Sequence, residues 1–338
     1  MIHLGREEGT YADWTRFGRA ERTMGSLMIR FAIGLTGSLV IALLAYWRRS
    51  LSGSGAAAAV VLGTALYTLT TLAWYGALIA FFVSSTVWSK VKRGHKAEAE
   101  RHYAKGGRRD AGQVAANGGI PLLMAVGWTI FPHPAWWYAY LGALAAVTAD
   151  TWATELGALS RRKPRSIITG KRVEPGTSGG ITLFGLAASC AGGAFIGVTA
   201  YGLALLSGEA ASSIGLSEGI SMGMAVSASE STSMSTNMSM NMSMNINGLA
   251  GFLPGLLLLL ICGLAGLIGS LFDSFLGATV QAVYRCASCK KLVERDIHCG
   301  RPAAHVRGVP WMGNDQVNAA AGICGASAAV LIAWQLAL

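Results

Sequence analysis

Residues 149–184 read ADTWATELGALSRRKPRSIITGKRVEPGTSGGITLF: an apolar helix closing on acids, a basic loop, and a glycine-rich turn opening the next apolar run. An ionisable side chain inside a membrane segment costs roughly 2.5–3.5 kcal/mol on insertion scales, so Asp150 and Glu155 mark a functional site by default. At 3.6 residues per turn the two acids stand about 140° apart, so an ideal helix gives them different roles. The turn Gly176-Thr177-Ser178-Gly179-Gly180 precedes a helix and offers bare backbone N–H groups, a setting that suits phosphate. Acids for a divalent cation, basic side chains and such a turn in one hairpin suggest phosphoryl chemistry at a membrane face.

The surrounding chain fits this unit. Of its 338 residues 52% are hydrophobic and only 13% charged, with 44 glycines and a mean hydropathy of +0.45. About a quarter of a soluble domain is charged, so a soluble globule is excluded and a polytopic, all-α membrane bundle is expected. The 27 Lys and Arg fall in five clusters: residues 6–30, Arg48 with Arg49, 90–109, 161–172 and 285–307. The net charge of +10 therefore reads as orientation and attraction to anionic lipid or nucleotide, with no nucleic-acid partner.

Runs of about 20 apolar residues place eight spans at 27–47, 56–72, 74–91, 117–131, 136–156, 181–206, 250–271 (with a continuation towards 283) and 317–338; seven result if a short one is only half inserted. The positive-inside rule puts Arg48 and Arg49 and the three large basic loops in the cytoplasm and both termini outside, although Arg16, Arg19 and Arg22 pull the tail the other way. No cleavable signal peptide is expected. The organisation is a tail (1–26) and a single transmembrane domain (27–338). A low-complexity Ser/Met/Asn loop (207–248) on the outside and a Cys/His-containing cytoplasmic loop (285–307) interrupt it. The repeated Met could suggest Cu(I), but a bland expanded loop is the stronger reading.

The polar motifs collect at one end of the helices. SLSGSG (50–55) reads either as a connector with close packing or as an anion cradle. Gln113 and Asn117 share a helix face; each could orient ligand oxygens, and Asn117 could instead be a cap. The stripe Thr182, Gly185, Ser189, Gly192 reads as helix packing. Asp273 projects from a stripe of small residues with Ser274 beside it, and Asn314, Asp315 and Asn318 open the last span. Three times a span ending in Ser-Ser or Asp-Ser/Thr is followed by a basic loop and a Gly/Asn turn, a weak echo of three repeated helical hairpins around one site. Cys286-x2-Cys289 with His298, Cys299 and His305 is a candidate zinc knuckle, structural rather than catalytic because it stands apart from the acids.

ADTWATELG, PGTSGG, GSLFDSFLGATVQ, the YRC-x2-C to HCG loop and GNDQVN, with SLSGSGAAAAVVLG and QVAANGG before them, resemble the phytyl-phosphate kinase family of integral membrane proteins (transmembrane-protein-nineteen-like). The likeness runs from about residue 47 to 320. It leads one to expect Asn where this chain has Ser178, and the Ser/Met/Asn insertion is peculiar to this chain. The resemblance implies phosphorylation of phytyl or another isoprenyl monophosphate by a nucleoside triphosphate, CTP favoured, in a fold related to CTP-dependent dolichol kinases and CDP-diacylglycerol synthases. On that basis Asp150, Asp273 and Asp315 would hold Mg²⁺ and Glu155 would assist. Gly176 to Gly180 and Ser274 would cradle phosphate, and Arg165, Lys171 and Arg172 would neutralise the triphosphate. Gln113, Asn117, Asn314 and Asn318 would orient its oxygens. A bacterial plasma membrane with a cytoplasm-facing site is expected. Two alternatives stay open: a cation- or proton-coupled transporter, and a lipid-phosphate cytidylyltransferase. Chain length, nucleotide and oligomeric state are open.

Overall fold

The computed structural model describes residues 24–91, 108–207 and 236–336. Among them eight helices follow in order: α1 (Met24–Trp47), α2 (Gly53–Leu69), α3 (Leu72–Lys90), α4 (Ala111–Ile130), α5 (Pro134–Gly157), α6 (Leu183–Leu206), α7 (Thr236–Thr279) and α8 (Asn314–Gln335). One stands at each expected span. Most of the tail (1–23), residues 92–107 of the first large basic loop and residues 208–235 lie outside the described residues.

Helices α1, α3, α6, α8 and α7 from Leu253 onward are long and apolar enough to cross a membrane, and α2 is a shorter apolar helix. Helix α5 explains why polarity is tolerated in the bundle. It packs on α3, α4, α6, α7 and α8, and its residues from Trp137 to Ala149 are all buried. A helix wrapped by protein needs no lipid-facing surface, so acids can follow at its end.

Local chemistry sets the ends of the helices. Pro134 at the first position of α5 lacks an N–H that would be orphaned there anyway. The Asp110 carboxylate accepts from Gln113 N at 2.9 Å while Gln113 Oε1 accepts from Asp110 N at 3.2 Å, a reciprocal cap on α4. Hence Gln113, not Asn117, belongs to the cap. Ser52 Oγ caps α2 by accepting from Gly55 N at 3.1 Å.

Small residues set the helix spacing. A Cβ on Gly193 or Gly197 of α6 would lie 2.3 or 2.4 Å from backbone oxygens of α7, and one on Gly142 of α5 would lie 2.3 Å from Gly325 O of α8. Close backbone approach of this kind is the usual basis of helix association in lipid. At the opposite end from the basic loops, the Trp74 ring meets Trp137 and Tyr140 at 4.9 and 4.6 Å, and Tyr140 donates its hydroxyl to Trp74 O.

Two departures from expectation concern the loops. Helix α7 starts at Thr236, so the end of the stretch read as an expanded low-complexity loop is helical; Met is a good helix former and the run continues directly into the span. Residues 283–307 are not irregular either. They form a four-stranded antiparallel sheet, order β4-β3-β6-β5, from β3 (Val283–Cys286), β4 (Leu292–Val293), β5 (Ile297–His298) and β6 (Arg301–Arg307). Arg307 fixes this sheet to the bundle by donating to Ala278 O (2.6 Å) and Gly277 O (3.1 Å) in the last turn of α7, where a cation also meets the helix dipole favourably.

Candidate active site

The basic loop after α5 folds back as a flap. Strands β1 (Arg165–Ser166) and β2 (Gly180–Ile181) pair antiparallel, and Ile167 N donates to Gly179 O at 2.9 Å. This pins the turn 176–180 above the ends of α5 and α7. Gly179 has φ +78°, and a Cβ there would lie 2.4 Å from Ala278 Cβ and 2.8 Å from Ser274 O, so only glycine lets the turn lie against α7.

Beneath the flap is a cavity of about 590 Å³, a size typical of small-molecule sites. Both arms of each of the three hairpins reach it. Lys90 and Gln113 come from the α3–α4 pair, Asp150 and Ser189 from α5–α6, and Asp273 and Asn318 from α7–α8. Glu155, Asn117, Ser274, Asn314 and the whole turn from Gly176 to Gly180 also line it. Motifs spread from Gln113 to Asn318 thus meet at one end of the bundle.

The cavity holds both acids and bases. Asp150, Asp273 and Glu294 face one another closely enough to repel, and Asp273 Oδ2 is buried with no hydrogen-bond partner among the described residues. Carboxylates so placed, one oxygen unmatched, fit a hard divalent cation with oxygen ligands. The same cavity is lined by Arg48, Arg49, Lys90, Arg109, Arg162 and Arg295. Arg109 is held firmly: its guanidinium lies over the Phe82 ring at 5.7 Å, donates to Thr86 Oγ1 at 3.4 Å, and its backbone pairs with Ser50 and Ser52. Burial pushes this guanidinium below its ordinary pKa, and the Glu155 charge pulls it back up.

That backbone pairing also decides how SLSGSG works. A Cβ on Gly55 would lie 2.1 Å from Arg109 O, so the segment is a close-packed connector that aims Arg109, although Ser50 also touches the cavity.

A second, apolar pocket of about 80 Å³ lies among α1, α2, α3 and α4, lined by residues such as Ala42, Leu62, Leu78 and Phe82. It shares Arg109, Gln113 and Asn117 with the polar cavity. Those three residues therefore form the seam between a charged chamber and a hydrocarbon-like slot.

The model of the integral membrane protein family DUF92 matches residues 36–326. The chain belongs to this family. It is 30% identical over 308 residues to Protein PGR of Arabidopsis thaliana, covering 87% of this chain and 92% of that one. It is 33% identical over 178 residues to the uncharacterized membrane protein MJ0933 of Methanocaldococcus jannaschii, covering 52% of this chain and 71% of that protein. No solved structure matches the chain. The family resemblance drawn from the motifs is borne out.

Within this DUF92 chain some residues singled out from sequence stand elsewhere. Arg165, Lys171 and Arg172 do not line the cavity: Arg165 donates to Gly170 O at 3.1 Å within the flap and pairs with Arg172 across it. The strand pairing that pins the turn turns these cations outward, and the bases from other loops take their place. Asp315 is also absent from the lining, which takes Asn314 and Asn318 from either side of it. Asn318 Nδ2 donates to Asn117 Oδ1 at 3.2 Å, tying α8 to α4. Ser189, assigned to packing, lines the cavity and bonds Ser270 at 3.1 Å.

The residue that sequence reading missed is Glu294. It arrives from the Cys/His loop, between β4 and β5, and accepts from Ser178 Oγ at 2.6 Å. No apolar periodicity marks it, because the strand before it is two residues long. Lying between two Cys/His pairs is the one signal that could have drawn attention to it. In that loop Cys286, Cys289, His298 and Cys299 place one ligand atom each within 4.8 Å of one another, whereas His305 packs on Tyr284 at 5.4 Å instead. The Cys289 N–H and then the His298 ring bring the Cys286 thiol down to about 6.

Proposed function

We propose that this protein transfers the γ-phosphoryl group of a nucleoside triphosphate, CTP favoured, to an isoprenyl monophosphate such as phytyl phosphate, giving the diphosphate. The observation that carries the reading is the seam: a chamber with four carboxylates, six cations and a backbone turn shares Arg109, Gln113 and Asn117 with a neighbouring apolar pocket. An anionic head on a hydrocarbon chain is the ligand that matches both halves. The site faces the cytoplasm in this reading, because the three loops that build it hold the Lys/Arg excess.

Asp150, Asp273 and Glu294 would hold Mg²⁺ at their converging carboxylates; Asp315 is left out because it does not line the cavity. When bound, that ion supplies charge neutralisation on the phosphates. The turn donates backbone N–H groups of Gly176, Ser178 and Gly179 to phosphate oxygens, those of Thr177 and Gly180 being bonded to Glu174 O and Thr177 O, and Arg162 and Arg295 balance the triphosphate charge. Arg109 receives the lipid phosphate at the mouth of the slot. An oxygen of that phosphate attacks the γ-phosphorus, the bond to the bridging oxygen breaks, and the nucleoside diphosphate leaves with the electron pair. The acceptor is already an anion, so no general base is required, and positioning with electrostatic stabilisation carries the reaction.

The test uses purified full-length protein in detergent with Mg²⁺, phytyl or geranylgeranyl monophosphate and each nucleoside triphosphate in turn. Lipid diphosphate should form and should fall about 10²–10³-fold, the loss typical for removing one charge-stabilising group, in both Asp150→Asn and Asp273→Asn. No lipid product with any nucleotide, from protein shown to be folded, would overturn the reading.

A further inference from the structure

We infer that Cys286, Cys289, His298 and Cys299 bind one Zn²⁺ ion, and that this ion fastens Glu294 and Arg295 against the cavity. Neither half depends on the phosphoryl-transfer reading. The four ligand atoms lie within 4.8 Å of one another, close enough for one ion to reach them all. With Zn–S of about 2.3 Å and Zn–N of about 2.0–2.1 Å, neighbouring ligand atoms of a tetrahedron stand about 3.5 Å apart. His298 Nδ1 lies 3.5 Å from Cys289 Sγ and 3.2 Å from Cys299 Sγ.

The backbone is already shaped for the metal. After Cys286 the chain makes a tight turn, with Cys289 N donating to Cys286 Sγ at 3.5 Å and Lys290 N to Cys286 O at 3.0 Å. Lys290 then takes φ 60°, and Cys299 and Gly300 take φ 53° and 70°. A lysine and a cysteine in the left-handed region are held there by something other than local preference. Three thiols and an imidazole suit zinc better than a hard cation. A disulfide would use two of the sulfurs and leave the third with the ring unexplained.

The consequence for the cavity follows from chain connectivity. Glu294 and Arg295 sit on the stretch between Cys289 and His298, whose own strands β4 and β5 are two residues each. So short a stretch has little core of its own, with Val293 its one buried apolar residue, and small units of this kind depend on a metal or another staple. With the ion in place both ends of the stretch are pinned, and Glu294 is delivered to Ser178.

The experiment takes full-length protein purified in detergent without chelators. Elemental analysis should give about one zinc per chain, the stoichiometry of a closed four-ligand site, and Co²⁺ exchange should give the intense visible bands of a tetrahedral thiolate site. Cys289→Ser and Cys299→Ser should lose the metal while Cys324→Ser, from a membrane helix, keeps it. Should those variants fail to fold, the wild type is stripped with a chelator and reloaded. Amide hydrogen exchange should then rise over residues 283–307 and also over 176–180, and fall again on adding Zn²⁺. Protein that holds no zinc even after reloading, or a Cys289→Ser, Cys299→Ser double variant that keeps it, would overturn the site. Exchange at 176–180 that ignores zinc would overturn the fastening.

Discussion

Ser178 illustrates how much rests on single atoms in this cavity. Its hydroxyl donates to Glu294 at 2.6 Å, and it is the position where the family resemblance leads one to expect Asn. Either side chain can donate to a carboxylate; Ala cannot. Losing a hydrogen bond to a charged group costs about 1.5–3 kcal/mol. Ser178→Ala should therefore lower kcat about tenfold or more with little change in KM for the lipid, and Ser178→Asn should restore most of it; steady-state kinetics of the three proteins decide this. Equal loss in Ala and Asn variants would mean that Ser178 does not act through Glu294. Residue identity in the sequence disclosed Asp150, Asp273 and the glycine turn because acids in apolar helices and Gly-rich helix starts are conspicuous. It did not disclose Glu294 or Arg109, whose importance comes from which segments pack beside them.

At the scale of elements, the bundle is spaced by glycine pairs rather than by large side chains. Gly142 and Gly325 face each other so closely that a Cβ on either meets the other's carbonyl oxygen, at 2.3 and 2.5 Å. Backbone cannot swing aside as a flexible side chain can. Gly142→Leu should destabilise by about 1–3 kcal/mol or prevent folding, read as thermal unfolding in detergent, whereas Gly25→Ala, with nothing within 4 Å of the added carbon, should be neutral. A harmless Gly142→Leu would contradict the α5–α8 packing. The spans were legible because lipid leaves an unbroken apolar run few alternatives to helix. The sheet of residues 283–307 was not, since two-residue strands such as β4 and β5 carry no readable alternation, and the outward turn of Arg165 and Arg172 depends on pairing between β1 and β2 that no composition announces.

For the whole molecule, three helical hairpins bring their polar ends to one chamber, and an apolar pocket among α1 to α4 shares Arg109, Gln113 and Asn117 with it. Convergence at one end was readable from the charge clusters; the slot was not, because it is formed by the shapes of four helices together. A carrier would be expected to hold its acids nearer the bilayer midplane, whereas these lie where the basic loops begin. The most direct measurement of the central claim supplies the protein with isoprenyl monophosphate, Mg²⁺ and a nucleoside triphosphate labelled either at the γ- or at the α-phosphorus, and follows label into lipid. γ-Label alone should appear in the lipid diphosphate, and Asp273→Asn should cut it about 10²–10³-fold. α-Label in the lipid would make the protein a nucleotidyltransferase, and no label from either position would contradict the account outright.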